Sequence, residues 1–259
     1  MHETKVNPFQ PDEPIGPEFF VGRKQEIGII DTALNQTTAG FPQDVLLLGE
    51  KWIGKSSLAV YAATLARTGK EFNLLNARFN SIYCRLGTCR TLDEICIVII
   101  NQIHRRIGNG ARARLQKFLE SIQGINIGFV GIQFDPRGHE GTLASTLPHF
   151  IEQLTTNMQD TEYDGLLIIL DETEQVARID GCASFFKNLL ETLRDPSHHG
   201  RNRISFLFTA TPEGFQALSA GHTSFPRLFR IAPLDRLQDD EVEELVQKLL
   251  KRGQPVCTL

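Results

Sequence analysis

The pattern G-x-x-x-x-G-K-[ST] is filled by Gly49, Gly54, Lys55 and Ser56. Glycines allow the backbone to curl so that successive N–H groups point at phosphate oxygens, beside the positive end of the following helix. In such a loop the lysine reaches the β- and γ-phosphates, and the serine hydroxyl binds Mg²⁺. The pattern therefore predicts a site for ATP or ADP with Mg²⁺. The alternative is an ordinary glycine turn between a strand and a helix.

The residues around this loop favour nucleotide binding over an ordinary turn. Four apolar residues, 45–48, precede the loop as a short buried strand, and residues 56–66 follow it with good helix formers. The variable loop positions contribute backbone N–H groups, so their side chains can point away from the phosphates. The predicted nucleotide contacts are Gly49, Glu50, Lys51, Trp52, Ile53, Gly54, Lys55, Ser56 and Ser57.

Two of these variable positions carry large side chains, Lys51 and Trp52. Lys51 would add positive charge near the γ-phosphate. Trp52 would lie on the outer rim of the loop, where a neighbouring subunit or a lid covers it, or it would pack against the chain's own N-terminal segment. We favour the packed position for Trp52.

An acidic pair follows a strongly apolar segment, residues 166–170. Because ligands of open α/β sheets bind at the carboxyl ends of the strands, Asp171 would lie at the site and hold Mg²⁺, mostly through water. Glu172 would polarise the attacking water as a general base. The alternative is a strand end that carries two solvated acids. The pair comes more than a hundred residues after the glycine loop, with strands and helices between, which favours the catalytic interpretation.

Two threonines end another apolar strand, predicted at 203–211. Thr209 and Thr211 would present hydroxyl groups beside the γ-phosphate. The alternative concerns Thr211, which is followed by Pro212 and therefore also fits the N-cap of a helix with proline at its first position. The sequence leaves both interpretations open.

Composition and charge exclude several classes of protein. The chain has 259 residues, 41% of them hydrophobic and 22% charged, as expected for a globular protein of one large or two small domains. No stretch approaches the ~20 apolar residues of a membrane helix, so we expect no membrane partner. The formal charge of −4 gives no overall attraction to nucleic acid.

The five cysteines, an odd number, argue against a disulfide framework and favour a reducing cytoplasm. Cys84, Cys89 and Cys96, with His104 further on, have the residue types of a zinc site, but a second close pair is missing. We interpret these three cysteines as small buried apolar side chains.

Apolar periodicity predicts strands that alternate with helices. Strands are predicted at 44–48, 79–86, 163–172, 203–211 and 227–234, and helices at 26–36, 55–68, 91–107, 143–158, 182–195 and 238–252. Residues 124–136 predict a β-hairpin. This order implies an α/β fold with a mainly parallel sheet, helices on both faces and the hairpin as an insertion.

The order of these motifs resembles that of AAA+-related P-loop ATPases, in particular the origin-recognition-like and STAND-like branch of bacteria and archaea. The motifs are FFVGRKQEI (19–27), the glycine loop, LLIILDE (166–172), FLFTAT (206–211) and the segment 227–245. The resemblance implies a P-loop NTPase sheet, ATP or ADP with Mg²⁺ as ligands, and ATP hydrolysis.

The resemblance also implies roles for residues outside the loop. The residues that would line or approach the adenine pocket are Phe20, Val21, Gly22 and Arg23. In such families an arginine before the last strand often acts in trans on a neighbour's γ-phosphate, and Arg227 is the best candidate here, with Arg230 next. The alternative is that both arginines are surface charges on a loop.

By the same resemblance the chain divides into an irregular N-terminal segment (1–15), a P-loop ATPase core (16–233) and the start of a helical lid (234–259). The lid of such ATPases is normally a bundle of several helices, whereas one predicted helix follows the core here. We therefore expect a truncated lid and slow ATP hydrolysis by this chain alone.

Two functions fit these observations. In the first, the nucleotide state is a switch that controls closure against a protein partner or assembly into a homo-oligomer. In the second, ATP drives a loader or remodelling ATPase on nucleic acid, and the basic segment 104–117 contacts phosphates. That segment contains no aromatic residue to stack on bases. Steep salt dependence of binding would favour the second function.

Overall fold

The computed structural model describes residues 13–68, 77–106, 125–128, 131–134, 142–156, 163–195 and 203–252. Its helices are α1 (Lys24–Thr38), α2 (Lys55–Thr68), α3 (Leu92–Arg106), α4 (Thr142–Thr156), α5 (Thr173–Val176), α6 (Cys182–Arg194), α7 (Pro212–Gly221) and α8 (Asp239–Arg252). Its strands are β1 (Asp44–Leu48), β2 (Phe79–Arg85), β3 (Ile125–Gly128), β4 (Gly131–Phe134), β5 (Gly165–Asp171), β6 (Ile204–Ala210) and β7 (Phe229–Pro233). Short 3₁₀ turns cover Pro17–Phe19 and Phe225–Leu228.

Five strands form one parallel sheet in the order β2-β5-β6-β1-β7. Two of its three inner strands, β5 and β6, are buried along their whole length, which is why their sequences are apolar on both faces. The strands β3 and β4 pair separately as an antiparallel hairpin. The predicted α/β fold with a parallel P-loop sheet is therefore confirmed, and the carboxyl ends of all five strands meet at one edge.

Two apolar layers cover the sheet, one on each face. On one face α1 and α2 pack against alternate strand residues, among them Leu167 and Ile169 of β5. On the other face α3, α4, α6 and α7 pack against the residues between them, among them Ile168 and Leu170. The prediction of helices on both faces is confirmed.

The structure buries three of the cysteines that the sequence singled out. Cys84, Cys89 and Cys96 lie in the second apolar layer as free thiols, as the packing interpretation predicts. Burial raises the pKa of the Cys89 thiol to about 11, and a charge interaction with Glu94 adds to this shift. At neutral pH the Cys89 thiol is therefore protonated.

The helix predicted at the start of the lid is α8, whose first turn contains Asp239, Asp240 and Glu241. The Glu241 carboxylate accepts a hydrogen bond of 2.9 Å from the backbone N–H of Gln238, just before the helix. Acids in this position complement the helix dipole. Within the described residues, no helix is both long and apolar enough to cross a membrane.

Some predictions concern residues that the structure does not describe. They are most of the irregular N-terminal segment (1–12), most of the basic segment (107–117), the hairpin turn (129–130) and the end of the chain (253–259).

Candidate nucleotide site

A cleft of about 460 Å³ lies at the carboxyl edge of the sheet. The glycine loop forms one side, and the ends of β2, β5 and β6 form the other. The polar and charged residues that line the cleft include Lys55, Ser56, Arg85, Asp171, Glu172, Glu174 and Thr209. The structure thus brings the loop, the acidic pair and one of the predicted threonines together in one cavity.

Lys55 lies over the glycine loop, with 7% of its surface exposed. Its Nζ donates hydrogen bonds of 2.8 Å to the backbone carbonyls of Gly49 and Glu50. Burial lowers the pKa of Lys55, and the Glu174 and Asp171 carboxylates oppose that shift. The backbone carbonyls of the glycine loop thus hold the Lys55 ammonium group in place, near the carboxylates of Glu174 and Asp171.

Asp171 ends β5 and is almost fully buried, with 1% of its surface exposed. Thr209 donates a hydrogen bond to its Oδ1, and Tyr83 donates one to its Oδ2. Burial raises the pKa of the Tyr83 phenol, and the Asp171 charge adds to the shift. Two hydroxyl groups from neighbouring strands therefore fix the carboxylate in place.

The two predicted threonines have different surroundings. Thr209 lies in the cleft, where its Oγ1 also accepts a hydrogen bond of 3.0 Å from the backbone N–H of Glu172. Thr211 is the N-cap of α7, because its Oγ1 accepts a hydrogen bond of 3.2 Å from the N–H of Gly214. The capping interpretation of Thr211 is thus confirmed, and the hydroxyl group that lines the cleft is that of Thr209.

Glu172 follows β5 with a positive φ of 63°, a left-handed conformation that is uncommon outside glycine. Its carboxylate lies against Gly87, in the loop after β2. A Cβ atom at Gly87 would be 2.1 Å from Oε2 of Glu172, so a residue with a side chain would displace the carboxylate. In this structure the carboxylate of the candidate base, Glu172, therefore packs against the loop that follows β2.

Sequence reasoning missed three residues of the site: Tyr83, Arg85 and Glu174. Tyr83 and Arg85 are two residues apart on β2 and so share a face, and Arg85 pairs in register with Asp171. Glu174 has a buried Oε2 with no hydrogen-bond partner among the described residues. Burial raises the pKa of Glu174.

The oxygen atoms of this cleft suit Mg²⁺, which prefers oxygen ligands and keeps several of its waters. Ser56, in the first turn of α2, and Asp171 line the same cavity. The Asp171 oxygens already accept two hydroxyl hydrogen bonds, an arrangement that suits contact with the ion through water. The residues present therefore fit the predicted metal site.

The segment 20–23 lies beside the loop. Arg23 donates a hydrogen bond of 2.9 Å from Nη2 to the carbonyl of Ile53 and pairs with Glu26 at 3.2 Å. Phe20 stacks on Tyr61 of α2 with 4.2 Å between ring centroids, and Val21 is buried. Contacts of Phe20, Val21, Gly22 and Arg23 with adenine stay a prediction.

Trp52 exposes 75% of its surface on the rim of the loop. Such exposure disagrees with the expectation that Trp52 packs against the N-terminal segment (1–15), of which the structure describes residues 13–15. Trp52 has a positive φ of 68°, a left-handed conformation that is uncommon outside glycine. Lys51 Nζ lies 5.2 Å from the centre of the indole ring.

The family model of the AAA ATPase domain matches residues 20–258. The chain belongs to this family. A search of the curated proteins found no match. The family assignment confirms the AAA+ part of the resemblance seen in the sequence, and the STAND-like part stays a prediction.

Solved structures share the fold of this AAA ATPase domain. The Aeropyrum pernix ORC2 protein, in its ADPNP–ADP complexes, is 18% identical with a TM-score of 0.62, covering 93% of this chain and 54% of that one. The A. pernix ORC1 protein in complex with DNA is 14% identical with a TM-score of 0.54, covering 90% and 50%. The Walker-type ATPase PABY2304 of Pyrococcus abyssi is 14% identical with a TM-score of 0.52, covering 92% and 60%. The chain thus spans about half the length of the proteins it resembles.

The candidate trans-acting arginines of the AAA ATPase domain lie away from the cleft. Arg227 belongs to the 3₁₀ turn before β7, Arg230 lies within β7, and both are exposed. An exposed arginine on or before β7, the outermost strand, is accessible to a neighbouring subunit. Exposure agrees equally with the alternative that both arginines are surface charges. The role of Arg227 in trans stays a prediction.

Proposed function

We propose that this AAA ATPase domain binds Mg²⁺–ATP in the cleft at the carboxyl edge of the sheet and hydrolyses it to ADP and phosphate. The observation that carries the proposal is the network of Asp171, Glu172 and Thr209, which faces Lys55 and Ser56 across one cavity. The ADPNP–ADP complexes of the ORC2 protein, which has the same fold, are consistent with it.

Each residue of the network has a chemical task in this proposal. Lys55 exchanges the carbonyls of Gly49 and Glu50 for the β- and γ-phosphates of ATP. Glu172 accepts a proton from the attacking water as the water oxygen bonds to the γ-phosphorus and ADP leaves. Thr209 holds Asp171 and the Glu172 backbone in register. When bound, Mg²⁺ would be held by Ser56 and Asp171 and would neutralise phosphate charge.

We further propose that nucleotide state changes the position of α8. Arg23 joins the segment 20–23 to the glycine loop through Ile53, and Lys248 of α8 donates a hydrogen bond of 3.1 Å to the carbonyl of Phe20. The Glu241 carboxylate of α8 packs directly against Gly22, because a Cβ atom added at Gly22 would lie 2.2 Å from Oε1 of Glu241. A shift of the loop would therefore reach α8 through contiguous contacts.

The partner of such a switch would be a second copy of this chain or another protein in a reducing cytoplasm. Free, buried thiols at Cys84, Cys89, Cys96 and Cys182 agree with that compartment. In a homo-oligomer, Arg227 would contact the γ-phosphate bound to the neighbouring subunit.

The alternative function, a nucleic-acid loader, is favoured by Arg105 and Arg106, which are exposed at the end of α3. The rest of the basic segment lies outside the described residues. ATP turnover with and without duplex DNA, at one fixed moderate salt concentration, separates the two functions. Stimulation by DNA favours the loader, and turnover indifferent to DNA favours the protein-coupled switch.

The experiment that tests the proposed activity is steady-state ATP turnover combined with equilibrium ATP binding. We expect Lys55→Ala to abolish binding or nearly so, because the phosphates lose their buried cation. Glu172→Gln should keep ATP binding and lower turnover by about 10²- to 10⁴-fold, because it removes the base.

The matched control is Lys187→Ala, which removes a half-buried lysine that lies outside the cleft lining and pairs with Glu191 on α6. This variant should bind and hydrolyse ATP as the wild type does. Unchanged ATP binding in Lys55→Ala would refute the phosphate-loop assignment, and persistent turnover in Glu172→Gln would place the base elsewhere.

A further inference from the structure

Glu172 has a left-handed backbone conformation although it carries a side chain. It lies between the end of β5 and the first residue of α5, and its side chain makes no hydrogen bond that caps this helix. This conformation is unfavourable for a residue with a Cβ atom, and it persists only where the surrounding structure holds it. The contacts on either side of Glu172 therefore decide whether it keeps this conformation.

Two hydrogen bonds hold the backbone around Glu172, and both end on Thr209 of β6. The backbone N–H of Glu172 donates to the Thr209 hydroxyl at 3.0 Å. On the other side of Glu172, the Thr173 hydroxyl donates to the Thr209 carbonyl at 2.6 Å. The Glu172 backbone is thus fixed from both sides to one residue of the neighbouring strand.

The second of these bonds lies in the interior of the fold. Thr173 has 0% of its surface exposed and Thr209 has 1%, so water does not compete for the bond. The described pairs between β5 and β6 end at Leu170 and Phe208. The Thr173 hydroxyl therefore continues the link between the two strands at the point where Glu172 turns out of β5.

The backbone conformation of Glu172 decides where its carboxylate lies. A φ of 63° is far from the extended conformation of a strand, and in this conformation the carboxylate packs against Gly87. If φ relaxed to an extended value, the Cβ atom of Glu172 would change direction relative to β5, and the carboxylate would move with it.

We propose that Thr173 is a positioning residue, which holds the Glu172 backbone in its left-handed conformation and so fixes the direction of the candidate base. The proposal rests on the proposed function, because it concerns the residue that would accept a proton from the attacking water. Thr173 is not among the residues that line the cleft, so it acts through Glu172 rather than on the nucleotide.

The test compares turnover with nucleotide affinity in Thr173→Val, which replaces the hydroxyl with a methyl group of similar size. Steady-state turnover of Mg²⁺–ATP should fall by about 10- to 100-fold, because a small displacement of a reacting group slows the reaction strongly. The affinity for a non-hydrolysable ATP analogue, measured by calorimetry, should change by less than about threefold. Thr173→Ser keeps the hydroxyl and should restore most of the turnover.

A double variant separates action through Glu172 from a general loss of structure. In Glu172→Gln the base is already absent, so adding Thr173→Val should lower the remaining turnover by less than about twofold. A further loss as large as the one that Thr173→Val causes alone would show that Thr173 does not act through Glu172.

The matched control is Thr37→Val in α1. Thr37 is also fully buried, and its hydroxyl donates to the carbonyl of Ala33 at 2.9 Å and accepts from the N–H of Gln43 at 3.2 Å. This variant should lower the midpoint of thermal unfolding at least as much as Thr173→Val does, because it removes two buried hydrogen bonds rather than one. Its turnover should stay at the wild-type level.

Two outcomes in Thr173→Val would overturn the proposal: wild-type turnover, or a loss of analogue affinity as large as the loss of turnover. If Thr173→Val does not fold, Thr173→Ala removes the same hydroxyl and is judged by the same two quantities. Full turnover in Glu172→Gln would refute the proposed base itself. Lost turnover in Glu172→Gln with normal turnover in Thr173→Val would confine the failure to Thr173.

Discussion

Two aspartates lie buried at opposite ends of the same sheet, and their partners differ. Asp44 begins β1 with 3% of its surface exposed, and it forms an ion pair with Arg194 and accepts a hydrogen bond of 2.7 Å from the N–H of Phe206. Asp171 ends β5 with 1% exposed, and its hydrogen bonds from described side chains come from the neutral hydroxyls of Tyr83 and Thr209.

We interpret Asp44 as a structural carboxylate, and we propose that Asp171 binds a metal ion through water. The fold supplies Asp44 with a cation of its own, although burial still raises the pKa of Asp44. For Asp171 the fold fixes the position of the carboxylate without a direct ion pair in the described chain. A carboxylate that is buried without an ion pair lowers the stability of the fold, and a bound metal ion with its waters would offset that loss.

Among the substitutions that test this contrast between two aspartates, Asp171→Asn should give the largest effect, and the effect should be a loss of activity. We expect turnover to drop by about 10- to 100-fold, because the amide cannot orient the water shell of a metal ion as a carboxylate does. The free energy of unfolding should stay within about 1 kcal/mol of wild type, since a buried charge is replaced by a neutral group of the same shape. Turnover assays and denaturant unfolding measure the two quantities, and a large loss of stability would remove the contrast with Asp44.

Asp44→Asn should have the opposite profile. The change leaves Arg194 without its counter-charge, and because Arg194 is 27% exposed we expect a loss of about 2 kcal/mol rather than the full cost of a buried pair. Nucleotide affinity should not change.

The control is Glu191→Gln on α6, the helix that carries Arg194. It breaks the pair with Lys187 and should lower the free energy of unfolding by less than about 0.5 kcal/mol. If Asp44→Asn and Glu191→Gln lowered the free energy of unfolding equally, the pair of Asp44 with Arg194 would be no stronger than an exposed pair.

Glu174→Gln should give the smallest effect, and one that depends on pH. Burial raises the pKa of Glu174 in the folded chain, so the carboxyl group is neutral in both states below the unfolded pKa of ~4.3. As pH rises through the folded pKa, the wild type loses stability relative to the variant, and above it the difference is constant. Thermal unfolding of both proteins between pH 4 and pH 8 measures this, and a difference that does not grow with pH would contradict it.

The strands and helices that flank the site could be predicted from the sequence, because each is specified by the residues within it. The apolar run before Asp171 and the helix formers after Ser56 specify the strand and helix that flank the site. Parallel strands then bring Asp171 and Thr209 to the edge where Gly49 lies. The roles of these residues in catalysis stay predictions.

The missed residues depend on pairing between distant segments. Arg85 is near Asp171 only because β2 is the neighbour of β5 in a particular register, and nothing in the sequence around Arg85 specifies that neighbour. The exposure of Trp52 was not predicted for a different reason. Trp52 lies in a loop with a positive φ of 68°, and helix and strand periodicity carries no information on the conformation of a loop residue.

Trp52 is the only tryptophan of the chain, and it lies on the rim of the proposed binding site with the ammonium group of Lys51 beside its ring. The indole emission of this protein therefore has a single source whose environment changes whenever the loop moves or becomes covered. Nucleotide titrations, stopped-flow kinetics and subunit association can each be recorded optically on the unlabelled chain.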